Sequence, residues 1–199
     1  DGRSFTNGLG ITIGEVYFLE CLLADLAPQR IFVIGNSFGW STLTLALLAP
    51  QAKVVAIDAG FDENSLEGIA LTNRIASEEG LDVTVMEATA PQDVGAVIAQ
   101  HLDGAVDFAL IDGKHTNEQI VLDFDAVRAS AAAGCAYLFH DVFEFSLQQG
   151  FSQNQSASGL SGGILRGTTS GMGLLYDASR TPALARTVAT FTISEAAMA

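Results

Sequence analysis

The chain has 199 residues, 49% of them hydrophobic and 16% charged, a composition that suits one domain with a sizeable core and excludes intrinsic disorder. Its net charge of −14, from 23 acidic and 9 basic residues, repels phosphate backbones and anionic bilayers, so nucleic acid and membrane surfaces are not expected partners. No apolar run is long enough to span a bilayer and no basic segment leads into an apolar one, so a cytoplasmic location is the expectation. Cys21 and Cys135 each lie in apolar surroundings, which suits small buried hydrophobes better than a metal site or a disulfide framework.

In chain order, Gly14–Leu26 (GEVYFLECLLADL) has the pattern of an amphipathic helix that packs against the sheet edge or a second copy of the chain, as in a homo-oligomer. Five apolar, β-branched or aromatic runs then read as buried parallel strands: Arg30–Gly35, Lys53–Asp58, Asp82–Ala88, Val106–Asp112 and Cys135–Asp141. Between them Gly39–Leu48, Glu63–Glu79, Gln92–Leu102 and Asn117–Ala133 read as helices. Asp62 is placed to cap the second of these and Gly80 follows its end. Thr116 with Gln119 forms a capping-box pattern for the last, and Gly134 follows that end. Such alternation predicts an α/β fold, a doubly wound, mostly parallel seven-stranded sheet with helices on both faces. Beyond Asp141 the character changes. Gln148–Ser170, rich in Gly, Ser and Gln, reads as a mobile loop. Gly171–Asp177 reads as a strand, paired with either Gly163–Thr169 or Arg186–Ile193. The expected organisation is a single domain over residues 1–199: a helical segment to residue 29, a ligand-binding core over 30–147, and the loop with C-terminal strands from 148.

Open α/β sheets bind ligands beyond the carboxyl ends of their strands, where strand order reverses. Here those ends are rich in polar residues: Gly35–Trp40, Asp58, Glu87–Thr89, Asp112–His115 and His140–Asp141. The first turn, Gly35-Asn-Ser-Phe-Gly39, has the spacing G-x-x-x-G. It is neither a dinucleotide loop, G-x-G-x-x-G, nor a phosphate loop with its lysine. Alone it marks only a strand-to-helix turn. Asp58 ends the second strand, where a carboxylate can accept both hydroxyl hydrogens of a ribose, and the pair favours an adenosine ligand.

The stretches FVIGNSFGWSTLTLA (Phe32–Ala46), VVAIDAG (Val54–Gly60), VDFALIDGKHTNEQIVLDF (Val106–Phe124), CAYLFHDV (Cys135–Val142) and SGMGLLY (Ser170–Tyr176) carry a resemblance. Taken in order, the chain resembles class I S-adenosylmethionine-dependent methyltransferases, and within them the small-molecule O-methyltransferases. The resemblance implies that Gly35, Asn36, Ser37 and Gly39 line the methionine part of S-adenosylmethionine, that Asp58 holds the ribose, and that Glu87, Ala88 and Thr89 lie beside the adenine. It places Asp112 under the sulfonium, with His115, His140 and Asp141 facing a small-molecule acceptor. Two positions depart from the family pattern. Val33 stands where an acidic residue often precedes the first glycine, and Ala88-Thr89 stands where the third strand often ends in Gly-Asp.

Transfer to a hydroxyl requires removal of its proton. Imidazole titrates near neutrality, so His115 is the first candidate base and His140 the second. Asp112 and Asp141 end neighbouring strands, and two converging carboxylates suit Mg²⁺, which prefers oxygen ligands. Phe143, Phe145 and Phe151 are candidates for an apolar acceptor wall. Two other readings use the same residues: a non-catalytic protein that binds an adenosine cofactor, and a nucleotide-dependent oxidoreductase, against which the missing third loop glycine stands.

Overall fold

The computed structural model describes residues 10–61 and 63–192. Helix α1 (Ile13–Leu26) leads into β1 (Arg30–Ile34), α2 (Trp40–Leu48), β2 (Lys53–Asp58), α3 (Glu63–Glu79), β3 (Val83–Glu87), α4 (Val94–His101), β4 (Val106–Ile111), α5 (Asn117–Arg128) and β5 (Ala131–Phe139). The C-terminal part adds α6 (Gln148–Ser158), β6 (Ser161–Ile164), β7 (Gly173–Tyr176) and α7 (Leu184–Phe191). The seven strands form one sheet in the order β3-β2-β1-β4-β5-β7-β6. The first five are parallel, whereas β7 runs antiparallel between β5 and β6. The expected doubly wound α/β architecture is therefore present.

Parallel strands with helices on both faces must be apolar on both faces, and they are. Phe32, Ile34, Val55, Ile57, Ala109 and Ile111 point into one core with α4, α5 and α6, while Ile31, Val33, Val54, Ala56, Phe108 and Leu110 point into the other with α1, α2 and α7. Strand order reverses between β1 and β4. The crevice for a ligand thus opens where the chain leaves Ile34 and Ile111, which are register partners.

Four expectations are corrected. Helix α1 lies on a sheet face against α2 and α7 rather than at a sheet edge. Helix α5 ends at Arg128, and Ala131–Ala133 already belong to β5. The Ala-rich run has high helix propensity, but pairing with β4 overrides it. Gly134, with φ +96°, sits in the register shift of β5 between Ala131, opposite Val106, and Ala136, opposite Phe108, rather than past a helix end. Gln148–Ser170 is not a loop. Its first half is α6, held on α5 by the contact of Gly150 with Asn117 and Ile120 and by an Asn154 side-chain bond to the Ile120 carbonyl at 3.1 Å. Its second half contains β6, the strand that pairs with β7, and of the alternative partner segment, Arg186–Phe191 belongs to α7 rather than to a strand. The proposed Asp62 cap lies outside the described residues.

Candidate active site

A cavity of about 960 Å³ opens at the carboxyl ends of β1, β2, β3, β4 and β5. Its floor is the glycine turn. Gly35 has φ +94°, and a Cβ there would overlap the Asp112 carbonyl oxygen, so only glycine lets β1 and β4 release their chains side by side. Gly39, at φ +82° the N-cap of α2, does not line the cavity. Its missing Cβ admits the Thr72 side chain of α3, so this glycine serves helix packing. The Asn36 side chain is buried and turned inward, accepting from the Thr42 hydroxyl (2.9 Å) and donating to Ser37 O (2.9 Å) and Thr72 Oγ1 (3.1 Å). Asp58 fastens the turn. Its Oδ2 accepts the backbone N–H groups of Asn36 (3.0 Å) and Ser37 (2.8 Å), and its Oδ1 accepts that of Gly60 (3.1 Å). This carboxylate both lines the cavity and supplies the loop's hydrogen bonds.

At the ends of β4 and β5 four ionisable side chains converge. His115 Nε2 lies 3.1 Å from Asp112 Oδ1 and 3.6 Å from Asp141 Oδ2, and its ring stacks on Phe145 at 4.3 Å and 8°. His140 Nδ1 lies 3.0 Å from Asp141 Oδ1 and 3.5 Å from Asp112 Oδ1. Behind it, Nε2 is 3.7 Å from Glu15 Oε2, a carboxylate of α1 that is fully buried. These His140 contacts are ion pairs, and neither ring nitrogen makes a well-directed hydrogen bond. Burial alone would strip the proton from His140, but Asp112, Asp141 and Glu15 outweigh it and push its pKa up to about 12, so His140 is an imidazolium. Burial would likewise raise the two acids, yet His140 with Ser170 and Thr12 holds Glu15 at about 2, and His115 with His140 holds Asp112 below the usual carboxylate range. Glu15 also joins distant segments: Oε1 accepts from Ser170 N (2.9 Å) and Oγ (2.6 Å), and Oε2 from Thr12 N (2.8 Å) in a capping box.

Of the sequence-derived site residues, Gly35, Asn36, Ser37, Asp58, Ala88, Thr89, Asp112, His115, His140 and Asp141 share this one cavity, whereas Gly39 and Glu87 stay outside it. Among the aromatic candidates only Phe145 reaches it. Phe151 is core against Phe139, and Phe143 sits beneath Arg166. Three residues went unanticipated as site residues: Glu15 behind His140, and Gln119 and Asp123 of α5, both of which line the cavity. Glu15 and Asp123 share a readable signal. Each occupies the apolar stripe of its helix, Glu15 with Phe18, Leu19, Leu22 and Leu23, and Asp123 with Ile120, Phe124 and Val127. A carboxylate at such spacing is either paired or turned to a ligand.

Residues 32–142, over half of the chain and every site segment from the glycine turn to Asp141, match the family described as a methyltransferase domain. The chain belongs to this methyltransferase family. A caffeoyl-CoA O-methyltransferase from Populus kitakamiensis is 26% identical over 122 residues, a match that covers 58% of the chain and 50% of that relative's length. Two crystal structures share the fold: a methyltransferase from Geobacter sulfurreducens, with TM-score 0.66 and 18% identity over 84% of this chain and 80% of the other, and the O-methyltransferase TomG from Streptomyces achromogenes in complex with SAM, with TM-score 0.65 and 15% identity over 85% and 82%. The methyltransferase family sets aside the oxidoreductase reading. No helix of the described residues is long and apolar enough to cross a membrane.

Proposed function

We propose that this methyltransferase moves the methyl group of S-adenosylmethionine onto a hydroxyl oxygen of a small-molecule acceptor. The observation that carries the reading is the placement of an acid–histidine pair, Asp112 and His115, on the same cavity as the Asp58-fastened glycine turn. Gly35 and the carboxylates of Asp58 and Asp112 line the cavity together, a set that fits a ligand with a ribose and a cationic sulfur. The cofactor supplies a methyl group on a sulfonium, a leaving group that needs no acid assistance.

The chain's own residues do the rest. Asp112 faces the positive end of the cofactor, and its low pKa keeps it charged. His115 donates its Nε2–H to the Asp112 carboxylate (3.1 Å), so its other ring nitrogen, Nδ1, takes the acceptor's hydroxyl proton as the acceptor oxygen bonds to the methyl carbon and the carbon–sulfur bond breaks. Asp112 and Asp141 then stabilise the imidazolium formed. His140, already protonated, cannot act as the base; we assign it to holding Asp112 and Asp141 in place. The half-exposed rings of Phe38, Trp40 and Phe145 line the cavity, favouring an acceptor with an apolar body. Calorimetry with S-adenosylmethionine, followed by detection of the demethylated cofactor over a panel of hydroxylated acceptors, tests the reading. No binding of the cofactor or its product would sink it, and binding without turnover would favour the non-catalytic alternative.

One observation favours a second element. Ligand atoms of Asp112, His115 and Asp141 lie within 4.8 Å of one another, the spacing of a divalent-cation site. Two carboxylates and an imidazole would hold Mg²⁺ or, given the nitrogen donor, Mn²⁺ more readily. Such an ion would lower the acceptor hydroxyl's pKa and take a ring nitrogen of His115 as a ligand, which would displace the histidine from its role as base. Activity abolished by EDTA and restored by Mg²⁺ or Mn²⁺ would support the ion; activity indifferent to both would leave His115 as the base.

A further inference from the structure

The cavity extends along the sheet from the histidine cluster at β5 and β4 toward the ends of β2 and β3, and the far part lacks the carboxylate that family members often carry on the third strand. Ala88 and Thr89 stand there instead, and their backbone donors are already used. Ala88 N donates to the Asp58 carbonyl at 2.9 Å, and Thr89 N donates to Asp93 Oδ2 at 2.7 Å. A purine edge arriving at this wall finds no free N–H on either residue.

The opposite wall is built differently. Gln119 N donates to the N-cap hydroxyl Thr116 Oγ1 at 3.2 Å, but the Gln119 side chain does not fold back to complete a capping box. It points across the cavity and donates through Nε2 to the Ala90 carbonyl (3.1 Å) and to Asp123 Oδ1 (2.8 Å). Asp123 is 1% exposed, and Oδ1 carries that one bond. Its second oxygen, Oδ2, has no protein partner among the described residues and faces the position where Gly113 lacks a Cβ, 3.5 Å from where that atom would stand. Oδ2 is not sealed from the cavity, but the residue as a whole is nearly withdrawn from water, and burial pushes Asp123 up to about 6. The vacant acceptor lies on a ligand cavity, so a ligand donor offsets that burial.

We infer that Asp123, held in position by Gln119, accepts a hydrogen bond from the exocyclic amine of the cofactor's adenine and makes the site selective for adenine over hypoxanthine. The inference rests on the methyl-transfer reading above. The acceptor comes from helix α5, whereas the end of β3 contributes only Ala88 and Thr89 to the cavity lining. An amine presents two N–H donors, one for Oδ2 and one for Gln119 Oε1, which has no partner among the described residues. Hypoxanthine presents a carbonyl oxygen at the same place, which two acceptors repel.

Calorimetry with S-adenosylhomocysteine and its deaminated counterpart, S-inosylhomocysteine, tests the assignment on wild type, Asp123→Asn and Asp123→Ala. The wild type should prefer the adenine ligand by about tenfold or more, as expected for a hydrogen bond to a charged acceptor. Asp123→Asn, with Oδ1 still accepting from Gln119, turns an amide N–H to the cavity and should bind S-inosylhomocysteine more tightly than the wild type does. A gain of affinity cannot come from misfolding. Asp123→Ala should lose the preference with little change for the inosyl ligand. A wild-type preference that survives in both variants would overturn the assignment while leaving methyl transfer intact. Failure of the wild type to bind S-adenosylhomocysteine would overturn both.

Discussion

Replacing Asp123 by Asn should stabilise the ligand-free protein, and by an amount that depends on pH. Asp123 has its pKa raised from 3.8 to about 6 in the folded chain, because burial disfavours the carboxylate and the single Gln119 bond offsets only part of that. Below pH 3.8 both folded and unfolded chains hold the proton and Asp123 exerts no titration penalty. Between 3.8 and 6 the unfolded chain releases its proton while the folded chain keeps it, so stability falls as pH rises. Above 6 the penalty is complete, at about 3 kcal/mol from 1.36 kcal/mol per pK unit. One face of the carboxylate meets the cavity, so this is an upper bound. Asparagine is isosteric, keeps an acceptor for Gln119 and does not titrate. Its advantage over aspartate should therefore grow by up to ~3 kcal/mol between pH 3.5 and 7.5. For a chain of this size that is roughly 6–12 °C in melting temperature. Thermal unfolding followed by circular dichroism, without ligand, across that range measures it. A difference that is flat with pH, or that shrinks as pH rises, would refute the burial argument.

Asp58→Ala should weaken S-adenosylmethionine binding by about 10²-fold in calorimetry, since it removes the charged acceptor proposed for the ribose and three backbone hydrogen bonds from the turn. His115→Ala should lower kcat by about 10²–10⁴-fold while cofactor affinity stays nearly unchanged, a split that single-turnover assays resolve. Glu15→Gln should cost about 3 kcal/mol at pH 6. The wild-type carboxyl is held at about 2 rather than 4.5, so its contribution is complete above pH 4.5 and is lost as pH falls through 2. Urea unfolding at pH 6 and at pH 2.5 should therefore show the two proteins converging in acid.

Most of what positions the site is written locally. Uninterrupted β-branched runs ending in Gly, Asp or His-Asp mark strands buried on both faces, and their polar last residues mark the ligand side. Legibility failed where tertiary contact decides. Ala129–Ala133 has the composition of a helix, but β4 offered it a hydrogen-bonding edge. Gln148–Ser158 has the composition of a linker, but Gly150 lets it approach α5 closely and Phe151 plugs the core. Gly39 matches the ligand-loop pattern yet packs on Thr72, because the missing Cβ is needed on the helix side of the turn. The role of His140 was equally unreadable. Its charge is held by Asp112 and Asp141 and, from behind, by Glu15, 125 positions away, and a strand-end motif contains no information about that third carboxylate.

The Glu15 contacts also bear on the order in which the molecule assembles. The hydrogen bonds from Ser170 to Glu15 join residues 155 positions apart. Contacts so distant in sequence are entropically slow to close, whereas neighbouring β–α–β units pair through short crossovers. The glycine turn and its Asp58 fastening, 21 and 22 residues apart, can therefore form in a chain whose two ends are still undocked. The imidazolium of His140 becomes fully balanced only when α1 and the segment before β7 meet over it. Cofactor-binding competence should thus precede catalytic competence during folding, with the chemical centre ready only once both ends of the chain have been brought together.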